Sequence, residues 1–312
     1  MSSMVIITIL LLALIYFFDL TGRLRDVTGA GGGQSAPFFT DMIYGDLEDP
    51  LDRPMAVARI DDHIYVADNK NKQIQVFTLS GKPAFKFGKE GTKEGQFMFP
   101  YGIAYDGKAN VYIADMYNGK ISIFDKNGKF LKYFKEADEK TPVLNGPAGL
   151  KIVNDKLYVT DTNNYAVYVF SLDGKKLLEL KTAANQIIQA PNAVEVDENE
   201  NIYISDSLNN RVIKFDKSGK YLLSINGSKD GKGNPQFINN RGLAINSSGV
   251  LFIVDNLSHL VRGYTLDGKE LFTFGSFGSE NENFILPNGI FIDDSDTIYV
   301  TDTGNSRVAI YN

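Results

Sequence analysis

The chain has 312 residues, with 32 Lys and Arg against 38 Asp and Glu, giving a formal net charge of −6 with the histidines neutral. Hydrophobic residues make up 43% and charged residues 22%, proportions of a globular chain with a sizeable core, which excludes a disordered protein. The acidic balance argues against nucleic acid as a partner. The absence of cysteine excludes disulfides and thiolate chemistry, and two histidines, His63 and His259, leave little material for a zinc site or a Ser–His–Asp triad.

Met4 to Phe18 is a run of 15 residues without a charge, and Leu20 extends it past Asp19. Seventeen residues at ~1.5 Å each reach about 26 Å, close to the ~30 Å hydrocarbon core of a bilayer. A spanning helix, a cleaved signal peptide and a buried helix all fit such a run. The missing basic flank and the lack of a small-x-small site weigh against a signal peptide, so a transmembrane anchor is expected within residues 1–28. Residues 29–37 begin GAGGGQS and read as a flexible linker. The propeller is expected on the extracytoplasmic side. Arg23 and Arg25 follow the apolar run and oppose that placement, because basic residues favour the cytoplasm.

From residue 38 to 312 one unit recurs six times: a strand ending in Asp, a short polar loop, then another strand. Its aspartates are Asp68, Asp115, Asp161, Asp206, Asp255 and Asp302, spaced by 47, 46, 45, 49 and 47 residues. Each unit opens on Pro54, Pro100, Pro147, Pro191, Asn240 or Pro287, and the residue two positions later is Gly or Ala. Hairpin corners such as NGK, DGK and SGK precede a fourth strand. Four strands per unit and six units predict an all-β, six-bladed propeller of four-stranded antiparallel sheets around a channel. The sixth unit shows three strands before Asn312, so its fourth is expected from Phe38 to Gly45.

The six aspartates read as structural turn residues whose carboxylates accept backbone N–H bonds. The small residues after the prolines are expected to keep bulky side chains out of the channel. Gln73, Lys120, Ala166, Arg211, Leu260 and Arg307 stand five residues after each Asp. A basic residue there is expected to reach a neighbouring blade, so units three and five stand apart. Lys151 and Glu195 occupy equivalent inner-strand positions of adjacent units and are expected to pair. The long loops entering each unit share a face with the Asp turns. That face is predicted to present Tyr101, Tyr117, Tyr165, Asn192, Arg241, Leu257, His259 and Asn288 to a protein partner.

The P-x-G opening, the IYVAD or IYISD strand and the following x-x-N-x-R-[IV] resemble NHL repeats, most fully in DSLNNRV (Asp206, Asn209, Arg211) and DTGNSRV (Asp302, Asn305, Arg307). The resemblance covers residues 38 to 312 and implies a binding or scaffold module, with protein contacts the leading role. RNA binding in NHL propellers uses a basic face, which this acidic chain does not offer. Propeller enzymes supply an alternative. Amidating lyases would need several histidines, whereas gluconolactonase-like hydrolases or lyases hold calcium with Glu, Asn and Asp near the channel. Asn192 and Glu195 stand where that calcium reading would place its ligands. No cofactor, resident metal or catalytic residue is otherwise expected.

Overall fold

The computed structural model describes residues 35–135, 143–226 and 236–312. Pro37–Asn312 forms a compact unit by itself. Its six four-stranded antiparallel sheets follow the sequence repeat. Blade I comprises Pro54–Ile60, His63–Asp68, Gln73–Thr78 and Pro83–Phe87, and blade II begins at Pro100–Tyr105. Blades III, IV and V begin at Pro147–Val153, Pro191–Val196 and Asn240–Ile245. Blade VI has Pro287–Ile292, Ile298–Asp302 and Arg307–Tyr311, with Phe39–Ile43 as its outermost strand. The first strand of each blade contacts the first strands of both neighbours and so walls the channel. The core lies between blades: Tyr65, Val76 and Phe87 of blade I pack against Ile103, Val111 and Phe124 of blade II.

Strand closure is antiparallel, with Phe39 opposite Tyr311 and Ile43 opposite Val308. The backbone of Phe38 and that of Asn312 exchange hydrogen bonds of 2.9 and 3.0 Å. The strand is shorter than the Phe38–Gly45 expected, because Gly45 leaves the ladder at φ 93° and instead bridges to Pro50.

Every first strand carries a register irregularity between its opening Pro or Asn and the residue three positions on. At the glycines this bulge adds a second reason for a small residue, besides the channel that the six small residues line. A Cβ on Gly102 would stand 2.1 Å from the carbonyl oxygen of Ala148, and one on Gly149 would stand 2.5 Å from that of Asn192. At the glycines the constraint is close approach to the next blade's backbone, and all six small residues also line the channel cavity.

The Asp turns tie each second strand to the loop entering the same blade. Asp68 accepts from the Asp52 N–H at 2.8 Å, Asp115 from Met98 and Phe99, and Asp161 from Asn145 and Gly146. Asp206, Asp255 and Asp302 accept from Gln189, Ile238 and Ile285. The basic residues five positions on do not reach a neighbouring blade. Arg211 and Arg307 turn back to the Asp of their own blade, each at 2.7 Å. In blade V, Arg262 takes over from Leu260 and reaches Asp255 at 3.2 Å.

The expected anchor at residues 4–18, and all but the last residue of the glycine-rich stretch 29–35, lie outside the described residues. Among the described residues no helix is long and apolar enough to cross a membrane.

Candidate functional site

The bulge sets the direction of the residue that follows each opening Pro or Asn. In blades I, II, IV, V and VI this residue is Met55, Tyr101, Asn192, Arg241 and Asn288, and these five line cavities on both sides of one layer across the channel. The Tyr101 hydroxyl lies 3.0 Å from Asn192 Oδ1 and 3.3 Å from Asn288 Oδ1, linking blades II, IV and VI across the axis. Arg241 Nη1 donates to Asn192 Oδ1 at 2.7 Å. The amides are oriented by their other ends: Asn192 Nδ2 donates to the Ala190 carbonyl and Ser207 Oγ, and Asn288 Nδ2 to the Met55 carbonyl. Each donor and acceptor of the Asn192 amide is thereby engaged, which fixes the guanidinium beside it.

This layer separates two chambers. The upper one, on the loop face, has a volume of about 440 Å³ and apolar walls that include Phe99, Met116, Leu208 and Leu286. The lower one, on the face of the short turns between first and second strands, is about 650 Å³. It is rimmed by Asp61, Asp62 and Asp294 and contains two ion pairs. The expected pair is present, with Lys151 Nζ 2.7 Å from Glu195 Oε1. The second joins Arg59 to Asp293 at 2.6 Å. Burial pushes the Asp293 carboxyl up, but the bond from Arg59 and the N–H groups of Ser295 and Thr297 outweigh it and hold the group below its ordinary value.

The predicted surface residues divide into two sets. Tyr101, Asn192 and Asn288 are only 3–5% exposed, so with the half-buried Arg241 they form the channel layer and not a displayed surface. The bulge turns them inward, a consequence that residue type does not reveal. Tyr117, Tyr165 and Leu257 are open to solvent on the loop face, at 68%, 47% and 48%. His259 accepts the Leu286 N–H at Nδ1 (3.1 Å) and packs 4.9 Å from the Phe277 ring, so it braces the loop entering blade VI. Sequence reasoning missed Leu208, Ile238 and Phe277, which extend the exposed apolar rim through blades IV to VI. Leu208 was detectable, since it stands two residues after its turn Asp, as Tyr117 and Leu257 do.

A calcium ion does not fit the residues suggested for it. Asn192 Oδ1 accepts from Tyr101 and from a guanidinium, and Glu195 is paired with Lys151, so two of the three donors are cations. Among the described residues no group of three or more His, Asp or Glu stands together to hold a metal. His63, at the start of its strand, packs edge-on to Phe85, whereas His259 lies in a turn at the opposite strand ends of another blade.

Comparison with known proteins agrees with this architecture. Residues 176–281 match a family described as a 6-bladed beta-propeller, and residues 51–77 and 284–311 match the NHL repeat. The protein brain tumor of Drosophila melanogaster is 30% identical over 115 residues, 36% of this chain and 11% of that protein. Human NHL repeat-containing protein 2 is 29% identical over 161 residues, 42% of this chain and 22% of that protein. The chain thus spans a small part of these relatives. Virginiamycin B lyase from Staphylococcus aureus superimposes with a TM-score of 0.61 at 15% identity, covering 86% of this chain and 84% of that one. A structural-genomics protein from Bacteroides thetaiotaomicron gives 0.65 at 15% identity, covering 86% and 71%. At such identity the structural likeness speaks for fold alone. The chain is a six-bladed β-propeller that carries NHL repeats.

Proposed function

We propose that this propeller is a protein-binding module that docks a partner on its loop face, held at a membrane by the apolar run at residues 4–18 with the propeller on the extracytoplasmic side. The observation that carries the reading is the exposed apolar rim. Tyr117, Leu208 and Phe277 are 64–69% exposed, and Ile238 and Leu257 about half exposed, all on loops of one face. Tyr117 is also stiffened by Phe99, whose ring lies 4.4 Å away. Rigid aromatic and aliphatic groups with little rotamer freedom to lose are what protein interfaces use as anchors, and large apolar groups gathered on one surface mark such sites. NHL propellers as a class serve as binding modules, which agrees.

The alternative, a hydrolase or lyase working at the channel mouth, shares its fold with the staphylococcal lyase. Among the described residues no group of three or more His, Asp or Glu stands together to hold the metal that reading calls for.

The test is crosslinking in intact cells with wild type and a Tyr117→Ser, Leu208→Ser, Leu257→Ser variant. Those side chains are 48–68% exposed, so the variant should melt within a few degrees of wild type while losing the crosslinked neighbour. An unchanged set of neighbours would sink the docking face. A protease-accessibility assay on intact cells reads the side of the membrane separately.

A further inference from the structure

We propose that the upper chamber binds a small organic monoanion, a carboxylate carried on an apolar group, with Arg241 as its charged seat. The chain is acidic overall, yet the charged side chains lining this chamber are Arg53 and Arg241, with no carboxylate among them. Arg59, Arg211, Arg262 and Arg307 each stand within 2.6–3.2 Å of an aspartate. Arg241 has no ion pair among the described residues; its Nη1 reaches only the neutral Asn192 amide, and its Nε is buried without a partner. A guanidinium cannot shed its proton to escape this environment. A half-buried cation with no carboxylate partner is stabilised by an anion that accepts from the end of its fork that lines the chamber, the enclosed Nε taking no part.

The walls select the rest of the ligand. Phe99, Met116, Leu208 and Leu286 favour an apolar carrier, and 440 Å³ lies at the small end of the range for organic ligands. The two chambers also differ in sign. Below the layer, Asp61, Asp62, Glu195, Asp293 and Asp294 face only Arg59, Lys151 and the shared Arg241. The field therefore admits an anion from the loop face and resists it from the other. Arg241 stands inside the channel, so the charged seat is distinct from the exposed rim proposed for a partner, and Leu208 alone of the named side chains borders both.

Calorimetric titration of the full-length protein with phenylacetate and hexanoate tests the assignment, with phenylacetamide, hexanamide and sulfate as comparisons. Saturable binding of the carboxylates, with the amides and sulfate at least about tenfold weaker, is expected. Arg241→Met should weaken phenylacetate by at least about tenfold. Arg241→Lys, which keeps the charge in a folded channel, should fall between the two. Three results would each overturn the proposal: no saturable binding of either carboxylate, amides binding as well as acids, or wild-type affinity in a folded Arg241→Met protein. Sulfate binding as tightly as phenylacetate would refute the apolar carrier.

Discussion

Asp302 and Arg307 show how the repeat spends its charges: their side chains are 0% and 3% exposed. Burial pushes the Asp302 carboxyl up, against hydrogen bonds from Asn305, the Ile285 N–H and Arg307 that pull it down, and it ends above its ordinary value. Arg307 offsets its own desolvation by capping three carbonyls of the loop entering its blade: Ser279, Glu280 and Asn283. Blade I performs the same task without a cation, since Gln73 and Gln75 both donate to Asp68 Oδ2. Arg307→Ala leaves Asp302 buried and unpaired and is expected to cost about 3–5 kcal/mol in urea unfolding. Asp302→Asn combined with Arg307→Gln, which removes both charges together, should cost clearly less. Equal losses in the two proteins would show that the charge is not what matters there.

At the scale of elements, the seam between blades VI and I is bridged by side chains as well as by strand pairing. Arg59, on the first strand of blade I, reaches Asp293, just past the first strand of blade VI. Asp293 also accepts the Ser295 and Thr297 N–H groups, so its carboxylate shapes the turn that follows. Its folded-state value lies below the ordinary 3.8. Such a group contributes stability above the unfolded value, and the contribution disappears as pH falls through the lower folded value. Melting of wild type and Arg59→Met between pH 3 and 6 should therefore show a gap that is widest above about pH 5 and narrows below about pH 4. A gap constant across that range would remove the ion pair from the seam.

The whole ring depends on Phe39–Ile43, which joins the two ends of the described propeller in one sheet. Ile43 is buried and Phe39 meets Tyr311 edge-on at 5.8 Å. Without that strand Arg307–Tyr311 becomes an open sheet edge beside the seam. Deleting residues 38–45 should lower Tm by well over about 5 °C, given that each kcal/mol corresponds to roughly 2–4 °C in a domain of this size. A melting point held within a degree or two would contradict closure. The ring also fixes where function can lie, because antiparallel blades put all Asp turns and entering loops on one face and all short turns on the other.

Much of this was determined by the sequence alone. The 45- to 49-residue period, the turn aspartates and the Lys151–Glu195 pair are legible because each rests on local hydrogen bonding or on equivalent positions in adjacent blades. The tertiary structure alone decided which way the residue after each Pro or Asn points. It did so because a bulge interrupts the two-residue alternation of the strand, so the direction of that residue does not follow from its position in the sequence. Tyr101, Asn192 and Asn288 are separated by 91 and 96 residues in sequence and meet only when the ring closes. No local pattern encodes that meeting, nor the unpaired state of Arg241, since an ion pair is present or absent according to what all six blades bring to the axis.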